Sequence, residues 1–253
     1  FKDCFWLGTF AAIGFLSKYL FIYLLIAIGL LFFYVIFIKK IKKFDFKYLM
    51  SLEVFIVLLV PHLIWLTNND YVTIVYGLAR TGLENSSFLD HFVYPLIFLF
   101  KQVGILIPFF IMLFFLIKKL KFRISLKDKK LLFLIFINLV PIGLLFLTSL
   151  ITGSKIRTMW MTPFYLFFGV LFVYLLQSQI NLKKINSFIY GFLFFFFLSP
   201  ILYCFESIVN TDKRTDYSGK DIAAKVQMIW NQDFDKDIEF LIGDEWKAGN
   251  LSY

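Results

Sequence analysis

The 253-residue chain is 60% hydrophobic, contains 36 phenylalanines and has a mean hydropathy of +0.79. Soluble domains are about 45–50% apolar, so a water-soluble core cannot hide this much apolar surface. A net charge of +9 often indicates a nucleic-acid partner. Here the basic residues cluster in short stretches between apolar runs, where membrane topology places them. The composition therefore predicts an integral membrane protein and no nucleic-acid partner.

The apolar runs predict about six to seven membrane segments, since a spanning helix needs about 20 apolar residues. In chain order the predicted segments are 5–16 (short), 19–38, 48–66, 94–117, 131–151, 159–178 and 187–204. The fold class predicted is an all-α multi-pass transmembrane bundle. We assign residues 1–204 to this membrane core.

The charge of the connections predicts an orientation. Stretch 39–47 has five lysines against one acid, and stretch 118–130 has seven basic residues against one acid. Stretch 67–93 has one arginine and three acids. Basic loops lie on the cytoplasmic side, so 67–93, 152–158 and the residues after about 205 are expected on the outer face.

Residues 205–253 differ from the core, with six basic and ten acidic residues. Stretch 218–231 has helical periodicity with Ser218 as an N-cap, and 237–242 alternates like a strand that ends at Gly243. The order predicts the start of a small α/β extracytoplasmic domain. Because the chain starts at Phe1 and stops just after this run, we interpret it as an internal piece of a longer protein.

Three motif classes are absent from the sequence: nucleotide-binding glycine loops, CxxC pairs and HExxH zinc sites. Nucleotide-driven transport and redox chemistry therefore fit poorly. Cys4 and Cys204 lie far apart in apolar segments, which favours free thiols over a disulfide or metal site.

Several cations fall on the predicted outer face without an obvious topological reason. Lys18 is either a lysine that snorkels at a helix end or an ammonium that holds a lipid-carrier phosphate. Lys155 and Arg157 oppose the positive-inside trend, so they are either solvated loop charges or partners of an anionic lipid group. Lys101 lies inside an apolar run, where a lysine is a functional candidate by default. In the alternative, 87–101 is an interfacial helix and the span begins near Gln102.

The outer connection 61–93 is about thirty residues long and carries both histidines. Loops of that length are usually functional. Arg80 has the guanidinium fork that suits a phosphate. Asp70 is either an active-site acid or part of an ordinary turn, and Trp65 and Tyr71 are also explained as interfacial aromatics.

Four segments in this order, AAIGFLSKY, PHLIWLTNNDYVTIVYGLARTG, KQVGILIPFF and GSKIRTMWMTPFY, resemble the membrane core of bacterial glycosyltransferase family 39 proteins, which are protein-mannosyltransferase-like and of the GT-C type. The tail segments RTDYSGKDIAAKVQMIWN and FLIGDEWKAGNLSY resemble the outer-face segment of one subgroup. One departure is Leu66, since many family members have asparagine after the tryptophan of this motif.

The resemblance implies a glycosyltransferase that moves a sugar from a polyprenyl-phosphate carrier to a glycan, lipid or protein acceptor, in the bacterial inner membrane. It implies an acidic general base in a first outer loop, often aided by a divalent metal. We expect that loop, and any metal ligands, to precede Phe1, which leaves Asp70 as a weak substitute within this chain.

The resemblance also implies accessory roles for the outer-face residues. The cations would stabilise the departing phosphate, and three further residues would line a sugar or prenyl groove. The predicted phosphate-binding residues are Lys18, Arg80, Lys101, Lys155 and Arg157, and the groove residues are His62, Trp65 and Tyr76. Two other readings stay open: a transporter or flippase of lipid-linked glycans, and a non-catalytic membrane subunit.

Overall fold

The computed structural model describes residues 1–41, 43–82, 87–122, 124–125, 127–210, 217–243 and 248–249. The chain divides into two units, Phe1–Gly191 and Phe192–Tyr253, which we describe separately. Parts of the predicted outer connection (83–86) and of the predicted extracytoplasmic domain (211–216, 244–247 and 250–253) lie outside the described residues.

The described residues form a helical protein with short connections. The α-helices are α1 (Lys2–Ser17), α2 (Ile22–Phe33), α3 (Leu49–Asn68), α4 (Val72–Ala79), α5 (Asp90–Leu116), α6 (Lys129–Thr152), α7 (Phe168–Leu176), α8 (Ile185–Val209) and α9 (Gly219–Asp233). Short 3-10 or π turns extend α2 at both ends and precede α3, α7 and α8.

Five described helices are long and apolar enough to cross a membrane: Tyr19–Ile38, Phe46–Asn68, Asp90–Leu116, Lys129–Thr152 and Leu182–Val209. A sixth candidate is broken, because the 3-10 segment Thr158–Tyr165 meets α7 at a bend of 53°. These segments agree closely with the predicted spans, and the described residues have the all-helical architecture that was predicted, with several helices apolar and long enough to span a membrane. The predicted segment 5–16 is helix α1, whose 16 residues are about 24 Å long.

Small residues let α1 lie directly against α3. A Cβ placed on Gly8 would collide with the Ser51 carbonyl oxygen and lie 2.9 Å from Cβ of Val54. Ala12, one helical turn further along α1, is fully buried. Lipid tails are as apolar as leucine side chains, so close backbone approach is a main source of helix association in a membrane.

Helix α6 is the centre of the first unit and packs against α2, α5 and α7. One buried cluster joins Leu145 of α6 to Phe98 of α5 and to Met161 and Phe164 of the 3-10 segment. A second joins α6 to Leu171 of α7. The many apolar side chains that remain exposed on the bundle are those a lipid environment would cover.

Two sequence predictions are corrected by the structure. The connection predicted from residue 61 begins later, because α3 continues to Asn68, and it contains helix α4. Residues 237–242 form neither helix nor strand. A strand needs a neighbouring backbone for its hydrogen bonds, and none is paired with 237–242 among the described residues, so alternation alone does not produce a strand there.

In the second unit, α9 confirms the predicted helix at 218–231. Ser218 stands at the N-cap, but its side chain makes no capping hydrogen bond. Beyond the helix the Trp230 ring stacks on Phe234 with ring centroids 4.2 Å apart, and its indole N–H donates to the Lys236 carbonyl.

The C-terminal ends of α5 and α7 lie together at what we call the lysine-rich end of the first unit. There the described residues of 117–130 meet 177–184. Lys118 N donates to Gln179 O at 3.1 Å, and Asn181 N donates to Leu116 O at 2.8 Å. Asp128 caps α6 by accepting from the backbone N–H of Lys130 and Leu131. The Tyr174 hydroxyl donates to the same carboxylate at 2.6 Å, and this bond lowers the pKa of Asp128.

Candidate functional site

The candidate site lies at the end of the first unit where α1, α3 and α6 finish and α5 begins, which we call the site end. Hydrogen bonds between distant parts of the chain join the connections there. The central one is the Tyr19 hydroxyl, which lies 2.7 Å from Nε2 of His62 and 2.7 Å from Oγ1 of Thr73. A single side chain at the start of α2 thereby ties α3 to α4.

The ring of His62 is placed by a second contact. It stacks on Trp65, one turn further along α3, with ring centroids 5.9 Å apart and planes at 14°. His62 is half-buried, whereas the Trp65 side chain is 44% exposed. Two of the three residues predicted to line a groove therefore form one aromatic surface, with Trp65 at its open edge.

One face of α4 carries the next group of side chains. Thr73, Tyr76 and Arg80 follow one another at spacings of three and four, which places them on the same side of a helix. The Arg80 guanidinium carbon lies 4.6 Å from the centroid of the Tyr76 ring. A cation over an aromatic ring is held by about 0.5–1 kcal/mol at exposed sites, so Tyr76 positions the fork of Arg80.

The connection that follows α6 is attached to the residue after Arg80. Lys155 N donates to the Thr81 carbonyl at 2.9 Å. The connection turns at Gly153, whose φ of +67° is a left-handed cap of α6, and Ser149 holds the turn by donating to Ser154 O. A left-handed φ favours glycine at this position. This geometry brings Lys155 beside the end of α4.

The ring of His91 adds another link at the same end, since Nδ1 lies 3.0 Å from the Leu150 carbonyl oxygen. Both histidines of the sequence therefore serve as links between elements of the site end. Neither was predicted to do so.

The structure thus brings six predicted residues to the site end. Each is placed there by its own contact or by a contact of its neighbour in the chain: Lys18, His62, Trp65, Tyr76, Arg80 and Lys155. Lys18 precedes Tyr19, and its extended backbone separates α1 from α2. Arg157 is exposed two residues beyond Lys155, at the start of the 3-10 segment. Among the described residues Lys18, Lys155 and Arg157 form no ion pair. The site end therefore carries three cations with which an anionic ligand would pair, and its connections also contain the acids Asp70 and Asp90.

Lys101 stands apart from this group. Helix α5 is continuous from Asp90 to Leu116, so the alternative in which 87–101 is a separate interfacial helix is wrong. Lys101 lies eleven positions after Asp90, which is about 16 Å along the helix. Lys101 is exposed and makes no hydrogen bond or ion pair within the described ranges. Its proposed contact with phosphate stays a prediction.

Asp70 lies in the turn between α3 and α4. Asp70 and Tyr71 have φ values of +49° and +54°, in the left-handed region that non-glycine residues rarely occupy. Tyr71 N closes the turn by donating to Leu66 O. The Asp70 side chain is exposed and accepts no hydrogen bond from another described residue, so it does not cap the turn.

Sequence reasoning missed Tyr19 and Thr73, the two hydroxyls that connect the site end. It also missed a buried pair next to Lys101. Tyr165 donates to Oε1 of Gln102 at 2.6 Å, while Nε2 of Gln102 has no partner in the described structure. The available signal was Gln102, a polar residue inside an apolar run. It was overlooked because the neighbouring charge of Lys101 was the more unusual feature.

No group of three His, Cys, Asp or Glu side chains within the described residues is placed to hold a metal ion. Comparisons with known protein families, with curated proteins and with solved structures found no match.

The Tyr19 links lead to a testable stability effect. Replacing Tyr19 by phenylalanine keeps the ring and removes both hydroxyl contacts, each worth about 0.5–1.5 kcal/mol net. We expect the free energy of unfolding to fall by about 1–3 kcal/mol, measured by thermal unfolding in detergent micelles. Tyr203→Phe is the matched control, because that hydroxyl makes no hydrogen bond with another described residue. If the two variants unfolded at the same temperature, the hydroxyl contacts of Tyr19 would not stabilise the fold.

Proposed function

We propose that the chain is the membrane core of a GT-C-type glycosyltransferase of the family 39 kind, which moves a sugar from a polyprenyl-phosphate carrier to an acceptor. The single observation that carries the proposal is the gathering of Lys18, Arg80, Lys155 and Arg157 at one end of an apolar bundle. A lipid-linked phosphate is an anion that lies where such a bundle meets water. The family resemblance supplies the sugar transfer.

The reaction would be a displacement at the anomeric carbon. The acceptor hydroxyl forms a bond to that carbon while the bond to the phosphate oxygen breaks, with inversion. The acceptor proton goes to the acidic base that the resemblance implies, which we do not assign to a residue of this chain. Negative charge grows on the departing polyprenyl phosphate, and fixed cations lower the barrier most where charge develops.

The groove residues complete the proposed arrangement. The stacked rings of His62 and Trp65 offer an apolar face of the kind on which sugars and isoprene units pack. Tyr76 holds Arg80 in place through its ring. The exposed edge at Trp65 leaves this surface open to a ligand.

Transfer can be tested with the full-length protein in liposomes that contain synthetic polyprenyl-phosphate hexoses and pentoses. The expected result is protein-dependent release of polyprenyl phosphate, with the sugar bound to an acceptor. Movement of intact donor across the bilayer without cleavage would overturn the enzyme proposal and identify a transporter.

A transporter of lipid-linked glycans is the second candidate, and one observation favours it. The span Thr158–Leu176 is broken by a 53° bend. Broken helices line the substrate sites of many transporters. The liposome experiment separates the two functions because only transfer breaks the sugar–phosphate bond.

We further propose that the protein lies in the bacterial inner membrane with the site end and the tail on the periplasmic side. A periplasmic phosphatase fused after Asn210 should be active, while the same phosphatase fused after Lys121 should be inactive. A fluorescent cytoplasmic reporter that folds after Asn210 would reverse the orientation and would remove the site end from the proposed reaction.

A further inference from the structure

A groove between α6 and α7 opens near the lysine-rich end, at the opposite end of the bundle from the candidate site. Its volume is about 410 Å³, and its lining residues are Lys129, Lys130, Phe133, Leu134, Val170 and Tyr174. Phe133 and Val170 are about half exposed, at 48% and 51%, whereas Leu134 is buried below them. The walls are therefore apolar side chains that stand on either side of a buried floor.

Two ammonium groups stand at one end of this groove. Lys129 and Lys130 are the first residues of α6, so they lie where the helix leaves the apolar region. Both are exposed, and neither forms an ion pair within the part of the chain that the structure describes. The nearest acid in sequence is Asp128, whose carboxylate already accepts from Tyr174 and from two backbone N–H groups.

A second, polar cleft of about 380 Å³ adjoins the groove at Tyr174, which lines both, and the Asp128 carboxylate also lines this cleft. Its lining adds the hydroxyls of Ser125 and Ser178 and the amide of Gln177. These groups donate and accept neutral hydrogen bonds. An apolar groove, a pair of cations and a polar cleft that contains the hydrogen-bonded Asp128 carboxylate thus follow one another over a short distance.

We propose that this composite site binds an anionic phospholipid with a hydroxylated head group. One acyl chain lies along Phe133, Leu134 and Val170, and the phosphate lies against Lys129 and Lys130. The head-group hydroxyls bond to Ser125, Gln177 and Ser178. Charge complementarity selects this occupant, because basic pockets between membrane helices bind anionic head groups, and a zwitterionic lipid would bring a second cation to the lysines. The site is distinct from the proposed donor site and does not depend on it.

The test compares two lipids with identical acyl chains, phosphatidylglycerol and phosphatidylcholine, titrated into the full chain in detergent. Bound lipid is counted by native mass spectrometry. The wild-type protein should bind phosphatidylglycerol in preference. The variant Lys129→Ala/Lys130→Ala should bind it about tenfold to thirtyfold more weakly, since each lysine near a lipid phosphate contributes on the order of a fivefold effect.

The matched control is Lys183→Ala/Lys184→Ala, which removes the same charge from the same end without altering the lining. It should bind phosphatidylglycerol as the wild type does. Val170→Trp, which fills the groove and keeps both lysines, should also lose binding. This variant tests the same site if the double lysine variant does not fold. Equal binding of the two lipids, or equal losses in the two lysine variants, would overturn the proposal.

Discussion

Replacing Arg80 by alanine should lower sugar transfer by about a hundredfold to a thousandfold while leaving the helical content unchanged. Removing one group that stabilises developing charge has an effect of that order in other active sites. The guanidinium of Arg80 lies over the Tyr76 ring at 4.6 Å, and this contact favours one orientation of its fork before a ligand binds. The measurement is the initial rate of polyprenyl-phosphate release in the liposome assay.

The controls for this variant separate charge from geometry. Arg80→Lys keeps the charge and loses the fork, so it should recover only part of the rate. Lys121→Ala removes one charge from the lysine-rich end and should leave the rate unchanged. Full activity of Arg80→Ala would refute the phosphate role of Arg80. Lys101→Ala in the same assay tests whether that mid-helix lysine shares the role.

The second large effect is expected on stability, from Gly8→Leu. The larger side chain has no space beside Ser51 and Val54, so α1 must move away from α3. Overpacking of this kind costs about 1–3 kcal/mol, and we expect lower thermal stability in detergent together with loss of the Tyr19 contacts, because α1 leads directly into Tyr19.

Gly29→Leu is the matched control, because a Cβ at Gly29 would have nothing within 4 Å. The same substitution in α2 should change the free energy of unfolding by less than about 1 kcal/mol. If Gly8→Leu unfolded at the same temperature as the wild type, the fold would not depend on the close contact between α1 and α3.

The spanning helices were predictable because length and hydropathy alone define them. The predicted span 19–38 and the observed Tyr19–Ile38 coincide, and the other spans differ by a few residues at their ends. Helix α4 was not predicted, because its eight residues are too short to compete with the loop signals on both sides. The break in Thr158–Leu176 was also missed, since hydropathy does not record a change of helix type.

The candidate site was predictable in part. Charge placement and the family resemblance selected Lys18, Arg80 and Lys155, and the structure brings these to one end. The hydroxyl links of Tyr19 and Thr73 were not predictable, because two polar residues 54 positions apart become partners only after α3 and α4 are oriented. Pairings of this kind depend on tertiary packing, which residue spacing does not encode.

The left-handed pair Asp70–Tyr71 fixes the rotational register of α4. Each helical residue advances the direction of the side chains by about 100°. One inserted or deleted residue in this turn, even an uncharged one, would therefore rotate Thr73 away from Tyr19 and carry Arg80 to another side of the bundle. At this turn the spacing of residues matters as much as their identity.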